Sequence, residues 1–406
     1  MINIDLNLTA TLCLAIVFYL FGDFIKNKVE FFDKFCIPSP VIGGLIFTII
    51  SSFLRLFNIV ALNIPNNIVP FFMTVFFTIL GLSASLKLIK KGGRLLFTYW
   101  ILCGTLSVLQ NIISVVMSKV TNINPLLGLM CGTISMEGGH GNAAAFGRVI
   151  EGLGVDGAVT IGLSAATLGV IIGGILGAPC SRYLIEKYKL KPNQNLINNK
   201  FNNKNIIGIS KPNKSSFKLK PLDFFEQFLV ILLCINIGQL LTTLIYNKAG
   251  LVLPEVVGCM VVAAIFRNFN DSFKLISLNF CLLDFLSEIA LGMFLVIALM
   301  SINLLDLANI AGPMLIIVFT QAIFAVFFTM FIAFRLLGKN FDAAVMVAGI
   351  LGHGIGNTPN ALANMNAISK KYGPSEKAQL IVPLVGAFLL DAFSLPCIII
   401  FINLFK

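Results

Sequence analysis

The sequence has 406 residues, of which 57% are hydrophobic and only 12% are charged. A soluble domain of this length would carry roughly twice that share of charge, so an ordinary soluble protein is excluded. The net charge of +11 does not indicate nucleic-acid binding, because the basic residues follow the pattern of a membrane topology. Apolar runs of about 20 residues recur along the chain and are continuous rather than alternating. They predict an all-α polytopic protein in the lipid bilayer and exclude a β-barrel.

The apolar runs predict ten membrane spans in two sets of five. They are 8–25, 38–56, 68–86, 95–117 and 158–181 in the first set, and 225–246, 254–270, 281–303, 311–334 and 380–403 in the second. The intervening stretch, 182–222, is rich in Asn and Lys, which is typical of a flexible connector. The chain is therefore predicted to contain an N-terminal membrane repeat (1–181), a connector (182–222) and a C-terminal membrane repeat (223–406).

The distribution of Lys and Arg predicts the orientation of these spans. When the connector is placed in the cytoplasm, 24 of the 29 basic residues fall on the cytoplasmic side. Cytoplasmic loops of membrane proteins carry this excess of positive charge. An odd number of spans in each half then places both termini outside.

The two halves also match each other in sequence. Gly22, Gly43 and Gly132 correspond to Gly238, Gly258 and Gly349, at offsets of 216, 215 and 217 residues. Because each half has five spans, the repeats are predicted to be inverted in the membrane. Inverted repeats with interrupted segments at matching positions are typical of secondary transporters, whose binding site lies where the repeats meet.

Two glycine-rich motifs, 132–142 and 349–360, occupy matching positions in the two halves and contain the only two histidines, His140 and His353. Glycine weakens a helix by ~1 kcal/mol relative to alanine. Non-helical backbone at membrane depth occurs only where it is buried in protein or lines a wet cavity. Each motif therefore predicts a re-entrant hairpin between the fourth and fifth spans of its half. The hairpins should enter from opposite sides, so that their tips meet near the midplane.

The polar residues of these hairpins are the candidate binding residues. Amides and hydroxyls can hydrogen-bond a solute's carboxylate or ammonium group, and amide N–H groups at short helix ends attract anions. The predicted substrate-binding residues are Glu137, Gly138, Gly139, His140, Gly141, Asn142, Arg148, Gly356, Asn357, Thr358, Pro359, Asn360 and Asn364. The predicted Na⁺ ligands are Thr133, Ser135, Thr358 and Asp391, together with nearby carbonyl groups.

Several of these residues also have structural interpretations. The small residues could serve only to let helices approach closely. Glu137 could form a structural pair with Arg148 or with a backbone donor, and Arg148 could be an outside-facing rim residue. Asp391 lies well inside the last predicted span, where a carboxylate usually marks a cation or proton site. The histidines could relay protons or act as neutral hydrogen-bonding groups.

Two other classes of function remain open at this point. An intramembrane enzyme would need a nucleophile–base pair or a metal set, but the sequence contains neither an HExxH motif nor a Gly-x-Ser-x-Gly motif with a downstream histidine partner. An ion channel could use backbone carbonyls as a filter. Two opposed hairpins in one chain favour alternating access over a channel.

Both glycine-rich motifs resemble those of the bacterial glutamate:sodium symporter (ESS) family. The resemblance is carried by 138–147, 166–169, 173–174 and 356–365, and by the segments 37–44, 80–87 and 382–388. It implies a homodimeric symporter of the plasma (inner) membrane that imports L-glutamate with Na⁺ as the coupling ion and needs no other cofactor. Alternating access is expected to occur by an elevator-like movement of the hairpin-containing core. Asn142 replaces the more usual Thr, and 352–354 is more polar than the family pattern, so aspartate, another amino-acid anion or a dicarboxylate stays open as substrate.

Overall fold

The computed structural model describes residues 2–34, 37–65, 68–85, 93–192, 221–249, 253–301 and 311–406. In chain order, the first half contains strand β1 (Ile2–Asp5), helices α1 (Leu8–Lys28), α2 (Glu30–Lys34) and α3 (Ser39–Leu56), strand β2 (Val60–Asn63), and helices α4 (Val69–Leu82), α5 (Gly93–Val120), α6 (Pro125–Met130), α7 (Thr133–Met136), α8 (Gly139–Gly152) and α9 (Ala158–Lys187). The second half contains α10 (Pro221–Ala249), α11 (Glu255–Phe273), α12 (Phe280–Met300), α13 (Ala311–Phe327), α14 (Phe334–Leu336), α15 (Phe341–Ile355), α16 (Thr358–Tyr372), α17 (Glu376–Leu384) and α18 (Leu390–Phe405). A π-helical turn joins α13 to α14 (Phe328–Ala333), and another joins α17 to α18 (Val385–Leu389).

Within the described residues, each predicted span falls mostly on a helix or on a helix continued through a π turn. Within the described ranges, seven helical segments are long and apolar enough to cross a membrane: α1, α3, α5, α9, α10, α12 and the continuous α13–α14 segment. The other three predicted spans differ for identifiable reasons. Helix α4 has only 14 residues, α11 carries charged side chains, and the last span is divided by its π turn. These features make the chain a multi-pass helical membrane protein.

The predicted connector lies mostly in 193–220, outside the described residues. Its edges are helical: α9 continues to Lys187, and α10 begins at Pro221. The helices of the two membrane halves therefore extend a short distance into the segment assigned to the connector.

The membrane helices form two packed groups. The first, called here the frame group, consists of α1, α3, α4, α10, α11 and α12. The second, called here the hairpin group, consists of α5 to α9 and α13 to α18, and it contains both glycine-rich motifs. Helices α8 and α12 are one place where the two groups meet.

The frame group uses matched glycine crossings in the two halves. A Cβ atom added at Gly22 of α1 would lie 2.6 Å from the backbone nitrogen of Gly43 in α3. A Cβ added at Gly238 of α10 would lie 2.6 Å from the nitrogen of Cys259 in α11. Such distances leave no room for a side chain, so glycine allows each helix pair to pack backbone against backbone.

The two halves interlock across this frame. Helix α3 of the first half packs on α12 of the second, while α11 of the second half packs on α4 of the first. The Thr48 hydroxyl in α3 donates to the carbonyl oxygen of Leu299 at 2.6 Å, and the Asn268 amide in α11 donates to the carbonyl oxygen of Ala84 at 2.9 Å. Side-chain donors thus bind backbone carbonyls between the halves.

Strands β1 and β2 pair in parallel from Ile2 with Val60 to Asp5 with Asn63, a feature that the sequence analysis does not predict. Each strand has only four residues, and its partner lies more than 50 residues away, so neither gives a strong local pattern. The pairing brings the start of α1 and the end of α3 to the same end of the molecule.

The crossing of α1 and α3 gives a test of this packing. Gly43→Ala would place a methyl group 1.9 Å from the carbonyl oxygen of Phe18. Because backbone must then shift, we expect the free energy of unfolding to fall by about 1–3 kcal/mol, measured as a lower Tm in detergent. Gly312→Ala is the matched control, because nothing lies within 4 Å of its added Cβ. An equal Tm for the two variants would contradict the packing.

Candidate solute-binding site

The first glycine-rich motif interrupts its helix twice. Helix α6 ends at Met130, the four-residue helix α7 covers 133–136, and α8 begins at Gly139. Gly139 has a φ of +62°, in the left-handed region that favours glycine. Thr133, Ser135 and Glu137 are all buried here. Unwound, polar backbone is therefore enclosed by protein.

The second motif breaks once, between α15 and α16. Gly356 and Asn357 have non-helical backbone angles, and Asn357 caps α16 by accepting a hydrogen bond from the Asn360 backbone N–H at 3.0 Å. Pro359 lies in the first turn, where a missing N–H costs nothing. The sequence Asn-Thr-Pro-Asn thus starts a new helix directly after the glycine break.

The two breaks contact each other. A Cβ atom added at Gly139 would lie 3.8 Å from the Cβ of Asn357 and 3.8 Å from the carbonyl oxygen of Gly356. Helix α8 starts at Gly139 and α16 starts at Thr358, so two helix N-termini begin at this junction. Helix N-termini present unpaired N–H groups and partial positive charge, which favour anions.

Two carboxylates, the buried Glu137 and the partly buried Asp391, lie beside this junction. Glu137 accepts a hydrogen bond from the Ser107 hydroxyl through Oε2, and its Oε1 has no hydrogen-bond partner among the described residues. Asp391 accepts a hydrogen bond from the Asn142 amide at 3.2 Å. The carboxylates of Glu137 and Asp391 are close enough to interact electrostatically. Together these two acidic side chains provide carboxylate oxygens that could bind a cation.

Asn360 and Asn364 hold α16 against α9. The Asn360 amide donates to the carbonyl oxygen of Val170 at 2.6 Å, and the Asn364 amide donates to that of Gly173 at 3.0 Å. Gly173 also lies against the break, because an added Cβ would be 3.3 Å from the Gly356 nitrogen. The amide donors of both asparagines are therefore engaged with backbone, whereas Oδ1 of Asn360 has no hydrogen-bond partner in the described part of the chain.

The π turn before Asp391 provides carbonyl groups that side chains use. The Thr358 hydroxyl donates to the carbonyl oxygen of Gly386 at 3.1 Å, and the Trp100 indole N–H donates to that of Leu389 at 2.6 Å. A Cβ at Gly386 would lie 2.6 Å from Nε2 of His353, so glycine is needed for this close approach. The widened turn thus connects α5 and α16 to the segment that carries Asp391.

Each histidine pairs with one hydroxyl group. Nε2 of His140 lies 3.0 Å from the Thr167 hydroxyl oxygen, and Nδ1 of His353 lies 3.3 Å from the Tyr99 hydroxyl oxygen. Both histidines are buried. These partners suit neutral imidazole groups, since a hydroxyl can donate to or accept from either tautomer.

Arg148 is not brought to the junction. It follows Gly139 by nine residues on α8, which is roughly 13 Å along the helix axis at 1.5 Å per residue. It interacts electrostatically with Glu151, close to the end of the same helix. The remaining predicted substrate-binding residues belong to the two breaks or to the helix turns that follow them.

The four predicted Na⁺ ligands have different surroundings. Thr133 donates to the carbonyl oxygen of Ser107 at 2.7 Å, while Thr358 and Asp391 bind the groups described above. The hydroxyl of Ser135 is buried without a hydrogen-bond partner among the described residues. Within those residues, no group of three His, Cys, Asp or Glu side chains could hold a metal ion. A Na⁺ ion prefers carbonyl, hydroxyl and carboxylate oxygens, which are the groups present here.

Gln110 of α5 joins the two motifs, and the sequence analysis missed it. Its Nε2 donates to the carbonyl oxygen of Gly354 at 2.6 Å, and its Oε1 accepts from the Thr133 hydroxyl at 3.4 Å. Gln321 of α13 donates in turn to the backbone carbonyl of Gln110 at 2.8 Å. A stripe of buried polar residues along α5 was the available signal: Ser107, Gln110, Asn111, Ser114 and Ser118.

Comparison with known proteins supports the resemblance found in the sequence. A family model described as Sodium/glutamate symporter matches residues 4–374, which include both glycine-rich motifs. The Sodium/glutamate symporter of Escherichia coli K12 is 34% identical over 387 residues, covering 95% of this chain and 95% of that protein. The Sodium/glutamate symporter of Haemophilus influenzae is 35% identical over 385 residues, covering 94% and 93%.

The contact between the breaks can be tested by disulfide formation. With the native cysteines replaced by serine, Gly139→Cys combined with Asn357→Cys should form an intramolecular disulfide under mild oxidation. The expected Cβ separation of 3.8 Å matches that of natural disulfides, about 3.8 Å. Protection of both thiols from a maleimide reagent would measure the bond. Gly154→Cys combined with Asn357→Cys is the control, and equal protection in both pairs would contradict the contact.

Proposed function

This chain belongs to the sodium/glutamate symporter family, and we propose that it imports L-glutamate together with Na⁺ by alternating access. The family and its relatives are symporters, so the protein is a membrane transporter and not an enzyme. The observation that carries the proposal is the junction of Gly139 with Gly356 and Asn357, where helix breaks from the two halves of the chain meet beside the carboxylates of Glu137 and Asp391.

L-Glutamate suits the junction by its charge and length. It carries two carboxylates, and the N-termini of α8 and α16 both begin at this point. We propose that the start of α8 receives one carboxylate through its backbone N–H groups. At the start of α16 the Asn360 N–H is already bound by Asn357 and Pro359 has no N–H, so the second carboxylate would be received by the Thr358 N–H and the partial positive charge of the helix end. Gly138, Gly139 and Gly356 would allow close approach of the substrate to the backbone, while Asn142 and Asn357 would fix its orientation.

Na⁺ is proposed to bind next to Glu137 and Asp391. Cation binding would neutralise negative charge that is otherwise costly in a buried site. Oε1 of Glu137 and the hydroxyl of Ser135 are the free oxygen ligands in the described residues of the first motif. With Na⁺ in place, the anionic substrate no longer faces unbalanced carboxylates, so each ligand would strengthen the binding of the other by linkage.

Alternating access is proposed to occur by movement of the hairpin group relative to the frame group. Gly141 of α8 faces the aromatic rings of Phe76, Phe77 and Phe294, with an added Cβ 3.6–4.0 Å from them. This contact is apolar. It favours sliding of the hairpin group along the frame group over rotation in place. The matched glycine crossings at Gly22 and Gly238 support the further proposal that the halves are inverted repeats.

We also propose the orientation that the distribution of basic residues predicts and the assembly that the family resemblance implies. The protein would lie in the bacterial inner membrane as a homodimer, with the connector in the cytoplasm and both termini outside. The pairing of β1 with β2 supports one part of this topology, because it keeps the N-terminus and the segment after α3 on one side.

Uptake by proteoliposomes tests the function directly. Purified protein should accumulate radiolabelled L-glutamate when Na⁺ is outside and K⁺ inside, with saturable kinetics. Aspartate and citrate should be taken up at least about tenfold less efficiently, which corresponds to ~1.4 kcal/mol. Equal glutamate uptake with external K⁺ would rule out Na⁺ coupling. Preferred uptake of citrate would show that the substrate is a carboxylate without an amino group, and not an amino acid.

Neutral substitutions of Glu137 and Asp391 should weaken Na⁺ binding before they affect other properties. We expect Asp391→Asn and Glu137→Gln each to raise the Na⁺ concentration for half-maximal uptake at least about tenfold, since a carboxylate ligand is replaced by an amide. Asp284→Asn, on the exposed face of α12, is the control. Unchanged Na⁺ dependence in the Glu137 and Asp391 variants would remove these residues from the cation site.

Gln110→Leu tests the link between the two motifs. Removing the amide breaks the hydrogen bonds to Gly354 and Thr133 while keeping the volume of the side chain similar. We expect the effect of Na⁺ on the substrate half-saturation to shrink at least about fivefold, because one ligand no longer organises both hairpins. Asn236→Leu, exposed on α10, should leave this coupling unchanged. Full coupling in Gln110→Leu would assign Gln110 to packing alone.

A further inference from the structure

A small pocket lies far from the helix breaks, where the ends of α9 and the α13–α14 segment meet. It has a volume of about 210 Å³. Its wall combines three basic and several aromatic side chains, chiefly Tyr183, Lys187, Tyr188, Phe331, Arg335 and Lys339. Both contributing segments are long and apolar enough to cross the membrane, so the pocket lies at a membrane boundary.

Aromatic rings of this pocket surround the ammonium group of Lys187. Its Nζ donates to the Tyr183 hydroxyl at 3.2 Å and lies 5.2 Å and 5.7 Å from the ring centroids of Tyr183 and Tyr188. The Tyr188 ring packs on that of Phe334 with centroids 5.5 Å apart, which joins α9 to α14. The aromatic residues therefore hold the ammonium group at the pocket.

The positive charge of the pocket is not neutralised by described carboxylates. None of Lys187, Arg335 and Lys339 forms a salt bridge within the described part of the chain. The neighbouring carboxylate, Glu186, is already engaged by Arg182 at 2.8 Å and by the Tyr372 hydroxyl at 2.5 Å. Three cations thus converge on one cavity and need an anion from elsewhere.

The connector cannot supply that anion. Residues 193–220 contain six lysines and neither Asp nor Glu, so this segment has no carboxylate to offer. Lipid headgroups, in contrast, lie at the level where membrane helices end. Basic pockets between helices at this level match the phosphate of anionic lipids, and Tyr side chains favour the same interface.

We propose that this pocket binds the phosphodiester headgroup of an anionic phospholipid. Lys187, Arg335 and Lys339 contact the phosphate oxygens, Tyr183 donates through its hydroxyl when Lys187 turns to the phosphate, and Phe331 with Met330 lies along the start of the acyl chains. The site is independent of the substrate junction. It would attach an anionic lipid to the end of α9, the helix whose carbonyl groups hold Asn360 and Asn364.

Native mass spectrometry of the purified full-length protein tests the proposal. With equal phosphatidylglycerol and phosphatidylcholine in the micelle, wild type should retain phosphatidylglycerol at least fivefold over phosphatidylcholine. Lys187→Gln, Arg335→Gln and Lys339→Gln combined should reduce this preference at least threefold. The matched control combines Lys26→Gln, Lys28→Gln and Arg55→Gln, which lie in the last turns of α1 and α3. An equal loss in both triple variants, or none in the pocket variant, overturns the site.

Two further measurements separate the remaining outcomes. Millimolar inorganic phosphate should not displace the lipid; full displacement would make the pocket a free-phosphate site and overturn the lipid assignment. A photoactivatable phosphatidylglycerol added to wild-type protein should label peptides within 183–188 or 328–339. This second measurement needs no variant, so it stands even if the triple variant misfolds. Labelling confined to other helices would overturn the proposal.

Discussion

Unpaired backbone groups are costly inside a bilayer, and this constraint governs the structure around both glycine-rich motifs. Wherever a helix stops within the membrane region, the chain must provide side chains or enclosed space for the freed N–H and C=O groups. Gln110 binds the carbonyl of Gly354 before the second break, and Thr358 and Trp100 bind carbonyls of the π turn. Asn357 likewise binds the Asn360 N–H at the start of α16, so side chains satisfy backbone groups on both sides of the second break.

Helix α5 is the common support for these breaks. Tyr99, Trp100, Ser107 and Gln110 extend from it to His353, Leu389, Glu137 and Gly354, which belong to three different segments of the hairpin group. Helix α9 provides the opposite surface, where Gly173 lets α16 approach and offers its carbonyl to Asn364. The two glycine-rich motifs are therefore held mainly by helices of their own group, and the contact of Gly141 with the frame group is apolar. This division suits a group that moves as a unit.

Local sequence patterns predict most of the helices, because the hydropathy and glycine content of a segment do not depend on distant residues. The family assignment is likewise confirmed, since both motifs lie within the matched region. The roles of Asn360 and Asn364 as anchors to α9 could not be predicted, because their partners lie about 190 residues away. Arg148 illustrates the opposite problem. It is near the motif in sequence, but nine residues of helix separate it from the break. Gln110 was missed because it lies outside both glycine-rich motifs, on an otherwise apolar helix.

The hydrogen bond from Trp100 to Leu389 has a practical consequence for spectroscopy. Trp100 is the only tryptophan in the chain, and its indole binds the π turn two residues before Asp391. The protein therefore carries a native fluorophore attached to the segment that presents this acid. Changes in the emission wavelength of the unlabelled protein would report on the local environment of that segment without any introduced dye.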